Sequence, residues 1–536
     1  MKYFQYPCGC KFEFEAEKNS LKFDPVIEKI NLQCQRTWDL ISDGNTKGCF
    51  QLESRLGRSM AKKLKPENIE QLSALISIMR PGCLEAIRDS KSVSNHYIDR
   101  KNNEESIDYF HPSLRPILEA TYGEMIYQEQ TMEIAKAIAG FDLQEADMLR
   151  KAIGKKKAED MAKVKSKFIS GCENSGIVTA DQADQIFGWI EKSQRYLFNK
   201  SHSISYAINA YLSAYAKAHF PRVFFASYLR FAKDKIDPQA EIKELVQNAN
   251  EMNISIHIPD IRLLNQLFIL YNQEIYFGLT DIKGVGESVF KKIKDIINNN
   301  SLNLSEMNWT DILMSLLLNI NSTAAKALIG VGALDYCKKT RNSMLFELSI
   351  ASELTKKESE YVKNSKEDSL LSKLNDLIKN GKVTKNRKKI IEDLINSIKK
   401  PPYSLCDNPE FISDSEISLL GCAITASRIE IYDTSYANTT CKEFKGGKNQ
   451  KDMIIAGEID SINITKTKSG ATAGLDMAFV SVSDTTGNVD SIIFFPEKYK
   501  EYRNILFEQN IILIKGNRSK GSGDAFIAEK CYIARS

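Results

Sequence analysis

The sequence predicts a multidomain protein that is mainly α-helical and ends in a β-barrel. The chain has 536 residues, of which 43% are hydrophobic, and this is more than one hydrophobic core usually holds. Apolar residues recur at helical spacing through much of the chain, whereas from Met453 onward they alternate with polar residues, as in strands. These observations predict three or more domains, with the barrel last.

Composition and patterning argue against a membrane-spanning or exported protein. No run approaches the roughly 18 uninterrupted apolar residues of a membrane span, and the first residues lack the apolar core of a signal peptide. The 11 cysteines are an odd number with no Cys-x-x-Cys pair, which is typical of reduced thiols. The net charge of +4 is too small to identify a partner. We therefore expect a soluble, cytoplasmic protein that does not bind membranes.

Five short motifs occur in order between residues 50 and 203. They are FQLES at 50–54, RPG at 80–82, YQEQ at 127–130, ADMLRKAIGKKK at 146–157 and FNKSHS at 198–203. Together they resemble the fingers domain of the C-family bacterial replicative DNA polymerases, the DNA polymerase III alpha subunits. The resemblance implies an α-helical fingers domain and a nucleotidyltransferase that copies a DNA template.

The same resemblance implies a palm domain that residues 1–33 are too short to hold. In the family, two aspartates in an Asp-x-Asp strand and a third aspartate ahead of the fingers belong to the palm. Asp24 is a faint candidate for the third. We therefore expect this chain to be the C-terminal half of a split or phage-type polymerase, with the aspartates and their Mg²⁺ ions on a palm-bearing partner chain.

Basic residues are concentrated between positions 150 and 167, where eight Lys and Arg residues accompany two acidic ones. Apolar spacing predicts two amphipathic helices here, separated at Gly154. The lysines at 156, 163 and 167 fall within an arc of about 40° on the second helix and can neutralise consecutive phosphates. An ordinary solvated lysine face is the alternative. The candidate DNA-binding lysines are Lys155, Lys156, Lys157, Lys163 and Lys167.

A nucleoside triphosphate carries about four negative charges, so its transfer depends mostly on positioning and cationic stabilisation. Arg150 suits this role because its guanidinium is always charged and binds phosphate oxygens bidentately. Lys151 stands where close family members often carry a second arginine. The resemblance places Lys200 at the phosphates and His202 with Tyr206 near the base or sugar. A purely structural histidine is the alternative. Asn199 and Ser201 complete the set of candidate nucleotide-binding residues.

The segment around Gly284, Val285 and Gly286 predicts a tight hairpin between two helices. Backbone N–H groups in such a turn can bind a phosphate without reading a base. The segment resembles a helix-hairpin-helix motif, and residues 324–335 resemble its partner, so the pair predicts binding to the backbone of duplex DNA. A glycine-rich turn that only connects two helices is the alternative.

The last part of the chain divides at Pro401 and Pro402. Before this pair, residues 338–400 are rich in Lys, Glu, Asn and Ser, and they predict a solvated helical connector. After Met453, about five strands and one helical piece predict a small barrel that resembles an OB-fold. Basic residues near its loops suit single-stranded template.

The N-terminal cysteines form a separate candidate site. Cys8, Cys10 and Cys34 offer three thiolates for a structural Zn²⁺, but no fourth ligand is evident and Cys49 is the only near candidate. A reduced thiol pair without metal is the simpler alternative. The predicted domains are a Cys-containing extension at 1–33, fingers at 34–255, tandem helix-hairpin-helix motifs at 256–345, a helical connector at 346–450 and an OB-fold at 451–536.

These features predict the nucleotide- and DNA-binding half of a DNA polymerase. Its partners would be a primer-template, deoxynucleoside triphosphates, the palm-bearing fragment and a sliding clamp, although no clamp-binding peptide is evident. The alternative is a catalytically inert DNA-binding or regulatory relic. A nuclease or helicase is not supported, because the sequence has no Gly-x4-Gly-Lys-Ser/Thr loop and no His/Asp cluster for a metal.

Overall fold

The computed structural model describes residues 2–15, 20–155, 158–193, 196–447, 451–467, 470–519 and 525–535. It divides into two compact units, residues 1–221 and 222–536. Within the described residues, no helix is both long enough and apolar enough to cross a bilayer. The expectation of a mainly helical protein with a C-terminal barrel is confirmed.

The first unit is helical apart from two small antiparallel sheets. Its helices are Gln35–Ser42, Arg55–Leu64, Ile69–Ile78, Pro81–Glu85, Val93–Lys101, Arg115–Leu118, Gln128–Ala139, Leu143–Lys155, Ala158–Ser175, Ala180–Ser193 and Lys200–His219. Its strands are Lys2–Gln5, Lys11–Glu15 and Ser20–Lys22 in one sheet, and Ile87–Arg88 and Lys91–Ser92 in the other.

The Lys200–His219 helix is central to the first unit. It packs against the Ile69–Ile78 and Gln35–Ser42 helices. Alanines at 207, 210, 214 and 218 are buried on it, and their small side chains permit this close approach. Tyr211 and Tyr215 are also buried on this helix. The helix is therefore buried along much of its length.

The Gln128–Ala139 and Leu143–Lys155 helices form a hairpin. The first ends at Gly140, whose backbone is left-handed with φ of 66°. Glycine adopts this conformation without steric cost because it has no Cβ. The second continues through Gly154, where the sequence predicted a break, and the next helix begins at Ala158. The two helices of this hairpin pack against each other.

The second unit combines helices with a short sheet and the barrel. Its helices are Pro221–Phe231, Pro238–Glu251, Glu287–Asn299, Trp309–Ser315, Ser322–Gly330, Arg341–Ser352, Lys356–Asn364, Leu370–Asn380, Lys385–Lys399, Pro409–Leu420, Cys441–Lys445 and Pro496–Tyr502. The short sheet contains Ile256–His257, Ile269–Tyr271 and Glu274–Tyr276.

One hydrophobic core extends from Phe225 to Cys422 in the second unit. The segment predicted as a helical connector is helical, and Met344, Leu374 and Ile391 from its neighbourhood are buried in this core. Its lysine-rich composition belongs to the outer helix faces, since the apolar positions at helical spacing pack inward.

The barrel closes five strands: Met453–Lys466, Asp476–Asp484, Gly487–Phe494, Ile511–Arg518 and Phe526–Ile533. The third strand pairs with the fifth in parallel, and the other neighbours are antiparallel. The Pro496–Tyr502 helix follows the third strand. This order is that of an OB-fold, and it agrees with the predicted barrel.

Candidate functional site

The N-terminus of the Lys200–His219 helix is held by a carboxylate from a neighbouring helix. Glu129 Oε1 accepts a hydrogen bond from Asn199 Nδ2 at 2.9 Å, and Glu129 Oε2 accepts one from the Lys200 backbone N–H at 2.9 Å. Asn199 caps the helix, because its Oδ1 accepts from the His202 N–H at 2.8 Å. Both oxygens of Glu129 therefore fix the start of the predicted nucleotide segment.

The backbone before this helix is fixed as well. Phe198 bridges to the 126–128 segment, with its N–H donating to Ile126 O and its carbonyl accepting from the Gln128 N–H, both at 2.9 Å. Beneath the bridge lies a buried hydroxyl cluster. Ser73 Oγ lies 3.0 Å from Tyr127 Oη and 2.9 Å from Ser203 Oγ, and Ser203 Oγ lies 2.8 Å from Ser77 Oγ. The segment is thus presented on a rigid support.

Side chains on the exposed side form a row of stacked groups. The Arg80 guanidinium lies 4.5 Å from the Phe198 ring centre, and His202 lies 5.5 Å from Phe198 and 4.1 Å from Tyr206. Phe50 continues the row at 5.1 Å from Tyr206. Phe50, Arg80 and His202 are exposed, so the row presents aromatic and cationic surface of the kind on which nucleic-acid bases stack.

Phe50 is a residue of this surface that sequence reasoning did not select. Its backbone N–H donates to Ser213 Oγ at 3.0 Å, which holds the FQLES motif against the Lys200–His219 helix. The only signal in the sequence was that an aromatic residue begins this motif. In the structure, Phe50 is 40% exposed. Exposure depends on packing and cannot be read from the motif alone.

Lys200 and Ser201 are exposed at the same helix end. Lys200 Nζ lies 5.8 Å from the centre of the Tyr127 ring, a cation–π contact. The positive end of the helix dipole adds to the ammonium charge. This end of the helix therefore offers an exposed ammonium group and an exposed hydroxyl, although Glu129 and Asn199 already accept from two of its backbone N–H groups.

Arg150 and Lys151 share one carboxylate. Asp147 Oδ1 lies 2.8 Å from Arg150 Nη2, and Asp147 Oδ2 lies 2.7 Å from Lys151 Nζ. Hydrogen bonds from Lys151 and Arg150 lower the pKa of Asp147. Sequence reasoning missed Asp147 as the partner of both cations.

The candidate DNA-binding lysines have different surroundings. Lys163 is exposed, whereas Lys167 forms an ion pair with Glu145. Lys156 and Lys157 lie outside the described residues, and so does the side chain of Lys155. The neighbouring Lys165 is paired with Asp184 at 2.7 Å. The row of phosphate-binding lysines stays a prediction.

The first glycine hairpin has the open turn that the sequence predicted. Gly284 has a left-handed backbone with φ of 98°, and Gly286 caps the Glu287–Asn299 helix. Val285 is buried, and its N–H donates to Ile282 O at 3.0 Å, so this residue anchors the turn. A Cβ added at Gly286 would meet no atom within 4 Å, which leaves room for a ligand at the helix start.

The second glycine hairpin is filled by a side chain. Arg341 is buried and donates from Nη1 to Gly330 O at 3.0 Å and from Nη2 to Asp335 Oδ2 at 2.9 Å. A Cβ added at Gly332 would lie 2.3 Å from Arg341 Nη2. This hairpin therefore binds an internal guanidinium, and only the first presents an open turn.

The N-terminal cysteines meet a histidine. The ligand atoms of Cys8, Cys10, Cys34 and His219 all lie within 4.8 Å of one another. Burial raises the pKa of Cys10 to about 12, and burial followed by the charge of Arg36 lowers that of His219 to about 4. His219 is the fourth member of this group, and Cys49, the only near candidate that the sequence offered, is not part of it. The separation of 185 residues between His219 and Cys34 hid the histidine from spacing arguments.

The Mg²⁺ ions that the resemblance implies need oxygen ligands, which the described cluster of potential ligands does not offer. Among the described residues, the only group of three or more potential ligands is the cysteine and histidine group, whose donors are sulfur and nitrogen. Asp24 instead pairs with Lys29, whose hydrogen bond lowers the pKa of this carboxyl.

The chain is similar in sequence to known protein families and to known proteins. A family described as "Bacterial DNA polymerase III alpha subunit finger domain" matches residues 13–176, and a "Helix-hairpin-helix motif" family matches residues 253–344. The chain is 30% identical over 504 residues to the DNA polymerase III subunit alpha of Aquifex aeolicus, covering 91% of this chain and 38% of that protein.

Two staphylococcal proteins with the same name are similar to a comparable degree. The Staphylococcus epidermidis protein is 30% identical, with 94% of this chain and 43% of that protein covered. The Staphylococcus aureus protein is 29% identical, with 93% and 42% covered. The chain thus spans about two-fifths of the length of these relatives.

Proposed function

We propose a function for this chain from the premise that it belongs to the C-family of bacterial replicative DNA polymerases, the family of the DNA polymerase III alpha subunits. In this proposal it is the nucleotide- and DNA-binding part of a DNA-directed DNA polymerase. Its substrates are a primer-template and deoxynucleoside triphosphates.

One observation carries the assignment of the nucleotide site. The Lys200–His219 helix begins with an exposed lysine, and Glu129 holds that helix end through two hydrogen bonds beside the row from Arg80 to Phe50. In the proposal, Lys200 and Arg150 bind the triphosphate, and His202 and Tyr206 contact the base or sugar. Preorganised cations and dipoles are the main catalytic contribution that a protein makes to such a transfer.

DNA binding is assigned to two elements that act on phosphates. The open turn at Gly284 and Gly286 offers backbone N–H groups, and the lysines after residue 154 offer positive charge. Neither element reads bases. The proposal therefore predicts duplex binding that is independent of sequence and sensitive to salt.

We further propose that the metal-binding carboxylates, with Mg²⁺, are supplied by a palm domain on a separate polypeptide. The proposal rests on the resemblance, because the family carries these carboxylates in a palm domain, and the one described group of three or more potential ligands offers sulfur and nitrogen instead of oxygen.

The test is a reconstitution. The purified chain is titrated with a fluorescent primer-template and a fluorescent deoxynucleotide, and primer extension is measured with Mg²⁺ before and after adding the palm-bearing polypeptide encoded by the same genome. We expect the chain alone to bind DNA without extending a primer, and the mixture to synthesise DNA. Robust extension by the chain alone would refute the split arrangement.

The catalytically inert relic makes a different prediction for the same mixture. It binds DNA, but the palm-bearing polypeptide restores no synthesis, and the chain binds no deoxynucleotide. An Arg150→Ala and Lys200→Ala double variant serves as the matched control. Synthesis that survives in this variant would assign the nucleotide site elsewhere.

A further inference from the structure

Four potential metal ligands from three distant parts of the first unit converge in one place. They are Cys8, Cys10, Cys34 and His219, and Cys34 Sγ lies 3.4 Å from His219 Nε2. With Zn–S bonds of about 2.3 Å and Zn–N bonds of about 2.0 Å, a tetrahedral site separates S from N by about 3.5 Å and two S atoms by about 3.8 Å. The observed spacing suits one small ion at the centre.

A tight turn presents the first two thiols. The Tyr6 N–H donates to Cys10 O and the Gly9 N–H donates to Tyr6 O, both at 2.9 Å. Gly9 has a left-handed backbone with φ of 85°, which a residue with a side chain rarely adopts. The turn joins the Lys2–Gln5 and Lys11–Glu15 strands. It places the Cys8 and Cys10 thiols on the same side, although only Gly9 separates the two residues in the chain.

Two helix ends present the other two ligands. Cys34 is the residue before the Gln35–Ser42 helix, and its carbonyl accepts from the Thr37 and Trp38 N–H groups. His219 is the last residue of the Lys200–His219 helix, and its carbonyl accepts from Tyr6 Oη at 3.0 Å. Hydrogen bonds thus fix the backbone at both positions independently of any metal.

The surroundings close the site. Cys10, Cys34 and His219 are buried, and the His219 ring packs between Tyr6, Phe12 and Tyr215 with ring centres 4.3–5.2 Å away. Asn31 Nδ2 lies 3.9 Å from Cys10 Sγ, a weak N–H···S contact that suits a thiolate. A site with three sulfurs, one imidazole nitrogen and no open position has the features of a structural zinc site.

We propose that Cys8, Cys10, Cys34 and His219 bind one structural Zn²⁺. The ion joins the N-terminal sheet to the start of the Gln35–Ser42 helix and to the end of the Lys200–His219 helix. A metal bound by His219 would limit how far this helix can shift along its axis. It would thereby also help to fix the position of Asn199 and Lys200 at the other end of the helix. The metal site itself does not rest on the proposed polymerase function.

The alternative is a group of reduced thiols without metal. Three thiols and an imidazole at these distances would then hold their protons in a small, largely buried space. A disulfide between two of the three cysteines is a second alternative. Both predict a protein that is folded and free of metal.

The experiment measures metal content in the full chain, purified without added metal. Zinc is quantified by mass spectrometry, and free thiols are counted in denaturant. We expect about one zinc per chain, and at least about a tenfold lower content in Cys34→Ser and in His219→Ala. Cys49→Ser and Cys172→Ser are matched controls, because both thiols are buried in the same unit but lie outside the cluster, and they should retain zinc.

Two further measurements keep the test decisive if a variant does not fold. His219→Cys restores a fourth zinc ligand and should retain the metal that His219→Ala loses. In the unmodified chain, replacement of zinc by Co²⁺ should produce the visible absorption of tetrahedral cobalt–thiolate coordination. A folded chain without stoichiometric metal, a disulfide within the cluster, or equal zinc loss in Cys49→Ser would overturn the proposal.

Discussion

Asp147 forms an ion pair with Arg150, with 2.8 Å between Oδ1 and Nη2, so this guanidinium is already oriented by a carboxylate on the preceding turn of its helix. Arg150 keeps donors beyond those that Asp147 uses, since guanidinium has five N–H groups. The pair can hold the side chain in one rotamer while leaving it able to bind phosphate.

Replacement of Arg150 by alanine should mainly impair nucleotide use. In the reconstituted enzyme, Arg150→Ala should lower kcat/KM for deoxynucleotides. The decrease should correspond to a loss of about 2–4 kcal/mol of transition-state stabilisation, while DNA affinity changes little. Lys151→Ala is the matched control, because Lys151 shares Asp147 but is more exposed, and its effect should be smaller. Loss of DNA binding with normal nucleotide use would assign Arg150 to the template path.

Replacement of Glu129 should loosen the nucleotide segment without touching the ligand. Glu129→Ala removes the acceptor for Asn199 Nδ2 and for the Lys200 N–H. KM for deoxynucleotides should therefore rise by a factor that corresponds to about 1–3 kcal/mol of binding free energy. Steady-state kinetics with varied deoxynucleotide measure this. Glu133→Ala, at an exposed position one turn further along the same helix, should have no effect, and equal effects of both variants would contradict the assignment.

Two sets of variants distinguish the hairpin from the lysines. Gly286→Val places a side chain in the open space at the helix start, where the backbone accepts any residue, and should weaken duplex binding uniformly across sequences. Because backbone N–H groups carry no net charge, the salt dependence of binding should stay unchanged. Gly284→Val is less informative, since its φ of 98° would strain the fold.

The combined Lys163→Ala and Lys167→Ala variant should instead change the slope of log binding constant against log salt concentration by about two if both lysines bind phosphates. Including Lys156→Ala should extend the change to about three units. Fluorescence anisotropy of a primer-template at several salt concentrations measures these slopes. A flattened slope for Gly286→Val with none for the lysine variant would reverse the assignment of the two elements.

Acid should destabilise the first unit through Glu105. Burial raises the pKa of this carboxyl, but hydrogen bonds from His96, Arg100 and Lys91 outweigh it and lower the pKa from about 4.5 to about 2. A depressed carboxyl pKa stabilises the fold above about pH 4.5, and this contribution is lost as the pH falls towards 2. We expect it to be about 1–3 kcal/mol.

Comparison with Glu105→Gln isolates this contribution from those of other carboxyls. The difference in unfolding free energy between the two proteins, measured by urea denaturation, should be largest near pH 6 and should shrink as the pH falls below about 4. A difference that is constant over this range would indicate that Glu105 acts by packing and not by charge.

The sequence by itself determined the features that depend on local order. The helical periodicity around Leu149 and Phe168, the alternation after Met453 and the Gly284–Gly286 turn all followed from spacing, because near neighbours along a chain largely set the local backbone. The five motifs likewise sufficed to recognise the family. Three of the four proposed zinc ligands were also visible, since Cys8, Cys10 and Cys34 lie close together in the chain.

Only the tertiary structure decided which distant groups meet. His219 completes the cysteine group across 185 residues, Phe50 extends the row that begins at Arg80, and Arg341 fills the second glycine hairpin. Such contacts depend on the close packing of whole helices, a property of the assembled core that no local spacing encodes.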